Sequence, residues 1–382
     1  MFKMGQIVSC RKGLLGEEWV NSLAKLQDRV PARSGQDALD LAYSAFEGGE
    51  EEFHRIFTDF DSSPLAAASL GQVHRAMLRE NGNEIAIKVQ RPNLRLIYDQ
   101  DFKLLTKVAK LIDKLPSNNK NVGGIESSWS KIISDAEMIL YREIDYRDEA
   151  SNAVRFAENF ARNNETLPSA ADWLRTPYIY TELSNEQILV QEYVPSIKVT
   201  DKAKLDAANV TQEERFKLAD DLARAYLRQF CSNLFFSTDP HPGTCIIMPR
   251  IVMYDFGQAA TLTQNQADGI LEIIEAIIDT DVDRSIDAFL MMGVLVDDAD
   301  LNQIRTKVAE NYRKATSSEA SNVTTTNNTE SKGSDAQVMS YFTLPAEYAF
   351  VARAITQLDG SCKSLDPEFD FISNAAPFIV EI

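Results

Sequence analysis

The chain has 382 residues, of which 44% are hydrophobic and 25% charged. This length suits one large or two ordinary domains, and the composition is that of a folded protein rather than a disordered one. The net charge of −18 disfavours a nucleic-acid backbone or an anionic membrane as a passive partner. It does not exclude one bound nucleotide, because a local lysine and a metal ion can override the overall field.

Cysteine and histidine usage argues against a metal centre built from those residues. None of the four cysteines forms a CxxC pair or a zinc spacing, which indicates scattered buried thiols in a reducing compartment, and the chain has only three histidines. No apolar run approaches the ~18 residues that span a bilayer. The first residues lack the apolar core of a signal peptide, so we expect at most peripheral membrane association within this chain.

The first third of the chain indicates helices followed by a small sheet. Helical periodicity covers residues 1–30 and resumes over 37–46, with Asp37 as a candidate N-cap. A loop of small residues then leads to two strands, 72–78 and 84–90, joined by a turn with the sequence Asn-Gly-Asn. Lys88 lies on the second strand, where a lone lysine is usually solvated, so its role depends on whether it has a partner.

The middle of the chain alternates long helices with short strands. Periodicity predicts a helix over 94–115 and a long acid-rich helical stretch over 126–160, whose acids are otherwise typical of a solvated face. A second strand pair is predicted at 176–180 and 187–193, and a strong helix at 211–234.

The stretch 235–257 carries the most chemistry. Asp239 lies in a proline-rich loop, and Asp255 begins an Asp-Phe-Gly triplet. Two apolar runs between them, over 245–254, predict a β-hairpin that would bring both carboxylates to one end of a sheet. Such a pair suits phosphoryl transfer, with one carboxylate for the nucleophile and one for Mg²⁺. Each motif alone is common, since Asp-Pro often only starts a turn.

The remainder of the chain is predicted to be mostly helical. Helices are expected over 264–279, 283–292, 300–315 and 344–358. The tract 316–335 is rich in Ser, Thr and Asn and poor in apolar residues, which predicts a disordered loop.

The order of these parts is that of a protein kinase: small-residue loop, lysine strand, acidic helix, connector, Asp loop, hairpin and Asp-Phe-Gly. We therefore predict an α+β, bilobal protein-kinase-like fold with a β-rich N-lobe and a mostly helical C-lobe. The predicted domains are a helical extension at 1–58, an N-lobe with inserted helices at 59–194, and a C-lobe at 195–382.

The motifs together resemble those of the UbiB family of atypical kinases, which includes ubiquinone- and plastoquinone-associated proteins. The resemblance extends from Lys3 to about Pro367. It rests on the family's KxGQ signature, its alanine-rich loop, its Ala-Ile-Lys strand, its ExD motif and its two aspartate loops. These are Lys3-Met4-Gly5-Gln6 followed by LAKLQDRVP, Ala66-Ala67-Ala68-Ser69, Ala86-Ile87-Lys88, Glu143-Ile144-Asp145 with Glu149-Ala150, Asp239-Pro240-His241-Pro242-Gly243 and Asp255-Phe256-Gly257.

The resemblance implies a role for each matching residue, with ATP or ADP and Mg²⁺ as cofactors. Lys88 would bind the nucleotide phosphates and pair with Glu149, Asp239 would take the catalytic-base position, and Asp255 would hold Mg²⁺. Further nucleotide contacts are implied for the alanine-rich loop, two strand residues and the hinge: Ala66, Ala67, Ala68, Ser69, Val73, Ala86, Glu192, Tyr193 and Val194. Regulatory residues are implied in the extension and the ExD motif: Lys3, Gln6, Glu143 and Asp145.

Two positions depart from the family pattern. Ser237 stands where the family has a histidine two residues before the loop aspartate. Thr244 stands where a metal-binding asparagine is expected, and a hydroxyl is a weaker Mg²⁺ ligand than an amide carbonyl. Thr244 is therefore the second candidate metal ligand, and the one that puts activity in question.

Three functions stay open. The first is an atypical kinase or ATPase that supports prenyl-quinone or organellar lipid metabolism. The second is a pseudokinase scaffold that binds nucleotide and organises partner enzymes, such as those of a quinone pathway, without phosphoryl transfer. A third, a small-molecule kinase, shares the fold, but the KxGQ signature and the alanine-rich loop argue against it. A chloroplast location is favoured over a mitochondrial one, and the chain looks shortened at its start relative to the family.

Overall fold

The computed structural model describes residues 32–67, 70–114, 129–162, 168–240, 245–247, 250–316, 338, 340–343 and 345–382. They belong to two compact units, Met1–Val154 with Pro177–Pro195, and Arg155–Thr176 with Ser196–Ile382. The second unit thus begins one residue after the predicted 194/195 boundary, and it also takes in 155–176.

The elements in chain order are α1 (Gln36–Tyr43), α2 (Gly49–Ile56), β1 (Phe57–Thr58), β2 (Ala66–Ala67), β3 (Gly71–Leu78), β4 (Glu84–Gln90), α3 (Leu94–Ile112), α4 (Trp129–Glu143), α5 (Tyr146–Ala161), β5 (Leu174–Arg175), β6 (Ile188–Glu192), β7 (Ile197–Lys198), α6 (Lys202–Ala207), α7 (Gln212–Cys231), β8 (Phe235–Ser237), β9 (Cys245–Ile247), β10 (Arg250–Val252), β11 (Ala259–Thr261), α8 (Gln264–Ile278), α9 (Val282–Met292), α10 (Leu301–Thr316), α11 (Ala346–Cys362) and α12 (Phe371–Ala375). Short 3₁₀ turns lie at Thr181–Leu183 and Ala376–Glu381.

The first unit is built on a five-stranded antiparallel sheet. Its strands run in the order β1-β3-β4-β6, with β2 also paired to β3. Because side chains alternate along a strand, Ile85, Ile87 and Val89 of β4 all point to one face, where each is at most 1% exposed. They join a core cluster that includes Phe53 and Ile188. The opposite face of β4 carries Lys88.

Three strands predicted for this sheet, over 72–78, 84–90 and 187–193, are confirmed to within a residue at each end. β4 has the predicted bounds, and Gly82 takes φ 71° in the turn before it, a conformation that glycine adopts without strain. The prediction of Asp37 as N-cap is wrong: Gly35, at φ 60°, occupies that position, and Asp37 lies in the first helical turn. The helix α2 was not predicted.

Two longer predictions in this unit are corrected. The acid-rich helical stretch is two helices, because the chain breaks at 144–145 between α4 and α5. Residues 176–180 do not form a regular strand, but Ile179 forms a bridge to Gln191 of β6. The main chain of Tyr180 also donates to the carbonyl of Val190, so the expected pairing is present as isolated contacts.

The second unit packs two small sheets and several helices around α7. One sheet has the order β5-β10-β9-β7, and the other pairs β8 with β11. The predicted hairpin is confirmed by the antiparallel pairing of β9 and β10. The strong helix predicted over 211–234 is α7, and it begins with a capping box in which Thr211 and Glu214 satisfy each other's main-chain N–H groups.

The remaining predicted helices of this unit are present, each with bounds within a few residues of expectation. The short helices α6 and α12 were not predicted. The tract predicted to be disordered begins at Thr316, which ends α10; the rest of it, and the helices expected over 1–30, lie outside the described residues. Among the helices that the structure describes, none is long and apolar enough to cross a lipid bilayer.

Candidate functional site

Lys88 has the partner that its position on an amphipathic strand left in question. Its Nζ lies 2.7 Å from each carboxylate oxygen of Glu149, in the first turns of α5. The lysine side chain is 23% exposed and the glutamate 6% exposed. A charged pair removed this far from water persists only when its hydrogen bonds are satisfied, as they are in this bidentate contact. The predicted pairing is confirmed, whereas the nucleotide contacts of Lys88 stay a prediction.

Other residues predicted to line a nucleotide site lie beside Lys88 on the same sheet. Val73 of β3 is directly opposite Lys88, and Ala86 precedes it by two positions and so shares its face. Ala66 and Ala67 form the short strand β2 rather than a loop, with Ala66 opposite Val73. Pairing to β3 fixes the main chain that the alanine-rich segment presents.

The predicted regulatory residues Glu143 and Asp145 flank the break between α4 and α5. Glu143 is 9% exposed and ends α4. Asp145 binds Arg147 through both carboxylate oxygens, and this hydrogen bonding lowers the pKa of the Asp145 carboxyl below its usual value. Arg147 also bonds Glu186 at 2.7 Å. Asp145 is therefore engaged within the first unit by an arginine that the sequence analysis did not single out.

Two main-chain contacts hold the start of α5. The side-chain amide of Gln90 donates to the carbonyl of Ile144 at 2.6 Å, and the main chain of Tyr146 donates to the carbonyl of Glu186 at 3.1 Å. Tyr146 is 1% exposed, and the ammonium of Lys88 lies 5.0 Å from the centre of its ring. The contacts place Glu149 in register with Lys88.

The predicted hinge, Glu192 to Val194, begins at the last residue of β6, and the main-chain N–H groups of its first two residues already donate hydrogen bonds. The N–H of Glu192 donates to the carbonyl of Tyr178 at 2.8 Å, and that of Tyr193 donates to the carbonyl of Glu84 at 3.0 Å. Val194 is 5% exposed. A base bound here would therefore not use the N–H groups of Glu192 and Tyr193 unless the sheet edge opened.

In the second unit, Asp239 follows β8 and is held by a helix far along the chain. The amide of Gln357 donates to Oδ1 of Asp239 at 2.8 Å, and Nη2 of Arg353 lies 3.2 Å from the same oxygen. Both residues belong to α11. The main chain before Asp239 is fixed as well, because Ser237 donates to the buried side chain of Gln229 at 3.0 Å. Ser237 is itself 2% exposed.

Asp255 is exposed, and its Oδ1 accepts from the main chain of Gly257 at 3.1 Å. The intervening Phe256 is 1% exposed, with its ring 4.8 Å from that of Phe156 at the C-terminal half of α5. A buried aromatic ring next to an exposed carboxylate fixes the main chain of the triplet and leaves Asp255 at the surface of the unit.

Strand pairing brings the main chain of the two aspartate loops together. β8 pairs with β11, and the N–H of Thr238, next to Asp239, donates to the carbonyl of Gln258, three residues after Asp255. The main chain beside the two aspartates therefore converges as predicted, whereas the closeness of their carboxylates stays a prediction. Burial raises the pKa of the Tyr226 hydroxyl, and the charges of Asp239 and Asp255 act in the same direction. Tyr226 gave no signal in the sequence beyond its place on a strong helix.

The donor set fits Mg²⁺ bound together with a nucleotide. Such a metal takes one or two protein carboxylates and completes its shell with phosphate and water oxygens, and Asp255 offers an exposed carboxylate. No cluster of three His, Cys, Asp or Glu side chains suited to a metal occurs in the described part of the chain. The predicted roles of Lys3, Gln6, Ala68, Ser69 and Thr244 concern residues outside the described ranges.

Comparison with known proteins identifies relatives among the atypical kinases. The model of the ABC1 atypical kinase-like domain matches residues 25–288. The chain is 34% identical to the chloroplastic protein ACTIVITY OF BC1 COMPLEX KINASE 8 of Arabidopsis thaliana, over 100% of this chain and 52% of that protein. It is 32% identical to a probable protein kinase UbiB of Shewanella, over 78% of this chain and 52% of that protein. The chain thus spans about half the length of these relatives.

Among solved structures, the chain resembles the Rv3197 protein of Mycobacterium tuberculosis, solved as a complex with erythromycin. The TM-score is 0.61 at 20% sequence identity, covering 95% of this chain and 87% of the other. At this identity the likeness concerns the fold alone.

Proposed function

Because the chain belongs to the family of ABC1 atypical kinase-like proteins, of which UbiB is a member, we propose that it binds ATP or ADP with Mg²⁺ and transfers the γ-phosphoryl group. The observation that supports the proposal most directly is the bidentate ion pair of Lys88 with Glu149. A lysine on a strand, held by a buried carboxylate on a neighbouring helix, is the arrangement that kinase-like sites require to bind nucleotide phosphates.

The chain's own residues have separate tasks in this proposal. Lys88 binds the phosphates, and Glu149 keeps its ammonium in place. Asp239 accepts the proton of the attacking oxygen, which forms a bond to the γ-phosphorus. The bond from that phosphorus to the β,γ-bridging oxygen breaks, and ADP leaves with the electron pair. Bound Mg²⁺, held by Asp255, would neutralise phosphate charge.

The wider role and location are proposals of the same kind. We place the activity in support of prenyl-quinone or organellar lipid metabolism, in a chloroplast, with a mitochondrion as the alternative. Three matched relatives are named chloroplastic, which supports the first location. Quinone-pathway enzymes or lipid are the proposed partners, and the prenyl-quinone content of cells lacking this protein tests that role.

Nucleotide binding is tested by thermal shift with ADP or ATP, with and without Mg²⁺. A ligand at ~100 times its dissociation constant adds about 2.7 kcal/mol of stability, which gives a clear shift. We expect the shift in the wild type and its loss in Lys88→Ala and Asp255→Asn. Lys103→Ala, which removes an exposed lysine of the same unit, is the matched control and keeps the shift. Absence of any shift in the wild type contradicts the proposal.

The second candidate is the nucleotide-binding scaffold without phosphoryl transfer. It is favoured by Thr244, which stands where the family implies an amide ligand for metal. Turnover of Mg²⁺–ATP separates the two. Measurable phosphate release by the wild type supports the enzyme, whereas binding without turnover, together with turnover gained in Thr244→Asn, supports the scaffold.

A further inference from the structure

We infer that Arg353 and Gln357 are positioning residues for Asp239, which fix one of its carboxylate oxygens so that the other faces the phosphoryl acceptor. The inference rests on the proposed function, because it assigns a task to the aspartate in the base position. It begins from two contacts on one atom: Gln357 Nε2 at 2.8 Å and Arg353 Nη2 at 3.2 Å from Oδ1.

The two side chains act as a unit because of where they lie on α11. Residues four apart on a helix share one face, one turn above the other, so both reach the same point. The helix itself is fixed by a buried stripe, in which Val351, Ala354 and Leu358 are 6%, 0% and 2% exposed. An arginine and a glutamine beside that stripe have little freedom to leave the carboxylate.

The helix also packs against the elements that carry Asp239. It contacts α7 and β11, and β11 pairs with β8, whose last residue is two positions before Asp239. A displacement of Asp239 relative to α11 would therefore disturb the pairing of β8 and β11 as well. The carboxylate is held from its own loop and from the helix at the same time.

The two carboxylate oxygens of Asp239 have different tasks in this inference. A carboxylate has about four acceptor positions, and both contacts from α11 fall on Oδ1. Among the described residues, none donates a hydrogen bond to Oδ2. The side chain of Asp239 is 21% exposed, so Oδ2 can receive the hydroxyl or water proton of an acceptor while Oδ1 stays bound.

A cationic neighbour is compatible with this task. In a loose phosphoryl-transfer transition state the attacking oxygen keeps its proton until late, so its orientation matters more than the basicity of the aspartate. Arg353 keeps the carboxylate in one orientation, with its Nη2 3.2 Å from Oδ1. Gln357 adds direction without charge. Its Nε2 is the end of the amide that reaches Asp239, and its Oε1 is buried without a donor among the residues that the structure describes.

The test compares the rate of Mg²⁺–ATP hydrolysis, with water as acceptor, in the wild type, Asp239→Asn, Arg353→Gln, Arg353→Lys and Gln357→Leu. Small displacements of a reacting group cost up to about 100-fold in rate. We expect kcat to fall about 10- to 100-fold in Arg353→Gln and Gln357→Leu, and Arg353→Lys to recover part of the loss. Lys363→Gln, an exposed change at the C-cap of the same helix, leaves kcat unchanged.

Two further readouts separate positioning from a merely structural role. The melting temperature and the thermal shift with Mg²⁺–ADP should stay at wild-type values in Arg353→Gln, because nucleotide binding does not use Asp239. In an Asp239→Asn background, Arg353→Gln should lower kcat no further. A loss of the same size in both backgrounds, or a loss that follows the fall in melting temperature, overturns the inference.

Failure of the inference is distinguishable from failure of the proposed function. If Asp239→Asn is inactive while Arg353→Gln and Gln357→Leu hydrolyse ATP at the wild-type rate, only the inference is wrong. If Asp239→Asn hydrolyses ATP as fast as the wild type, the catalytic assignment of Asp239 is wrong and the inference falls with it.

Discussion

The ion pair of Lys88 and Glu149 should be far more costly to break than to replace. Removing one partner leaves the other charge buried, since the two side chains are only 23% and 6% exposed. A buried charge without its partner destabilises a protein by about 3 to 5 kcal/mol, whereas two well-packed apolar residues in place of the pair are often neutral or better. Because Lys88 keeps some exposure, we take about 3 kcal/mol for each of Lys88→Met and Glu149→Leu.

The double variant Lys88→Met/Glu149→Leu should therefore be more stable than either single variant and within about 1 kcal/mol of the wild type. Guanidinium unfolding of the wild type and the three variants measures these free energies, provided that the dependence of the unfolding free energy on denaturant has the same slope in all four proteins. The thermal shift with Mg²⁺–ADP should be lost in all three variants, so stability and nucleotide binding respond differently to the same changes.

The matched control is the ion pair of Arg55 with Glu52 in the same unit, whose side chains are 72% and 33% exposed. Exposed helical pairs contribute about 0.3 to 0.5 kcal/mol, so its double-mutant cycle should show almost no coupling. If the free-energy changes of the Lys88 and Glu149 single variants simply add in the double variant, as in the control pair, then the Lys88–Glu149 pair is not desolvated as the structure indicates. That result refutes this reasoning.

Three further predictions concern stability. Asp221 is 4% exposed, and burial raises the pKa of its carboxyl from 3.8 to about 6. The folded state therefore loses stability as pH rises from about 4 to about 6. Asp221→Asn should be more stable than the wild type by up to about 3 kcal/mol near pH 7.5, but by little near pH 4. Denaturant unfolding of both proteins at the two pH values measures the difference. Gly71→Ala should cost about 1 to 3 kcal/mol in the same assay, because its Cβ would overlap the hydroxyl of Tyr146. Phe256→Ala should cost about 3 to 5 kcal/mol, since the ring is 1% exposed against Phe156.

Each of these has a control in the chain. Glu213→Gln, an exposed change on the same helix as Asp221, should show no gain that grows with pH, and a pH-independent gain in Asp221→Asn contradicts the linkage argument. Gly360→Ala lies in open space within α11 and should stabilise the protein by about 0.5 to 1 kcal/mol. Leu290→Ala, at an exposed leucine, should cost far less than Phe256→Ala, and equal costs would show that the ring is not packed as described.

Much of the fold was predictable because its signals are local. The strands β3 and β4 follow from alternation around an Asn-Gly-Asn turn, and α7 begins at a capping box written in the sequence as Thr-x-x-Glu. The kinase-like α+β fold and the UbiB family membership are both confirmed. Both predictions depended on the order of several weak motifs rather than on any single motif.

The features that could not be predicted depend on contacts between distant residues. Periodicity runs through 144–145 without interruption, yet the helix breaks there because Gln90 and Glu186 take the neighbouring main-chain groups. The contact of Gln357 with Asp239 joins residues 118 positions apart. Helical spacing places Arg353 and Gln357 on one face, but nothing local shows what that face meets.

The anchored start of α5 also bears on how the protein can be switched on or off. Many switches rotate a helix away from its sheet, like a lever, and so separate a lysine from its glutamate. Here such a rotation would break the bonds of Ile144 and Tyr146 as well as that of Lys88. The amide of Tyr146 should accordingly exchange its hydrogen slowly, with or without nucleotide. Slow exchange of this amide would show that the ion pair is a permanent part of this unit, and it would place control of the proposed activity elsewhere in the molecule.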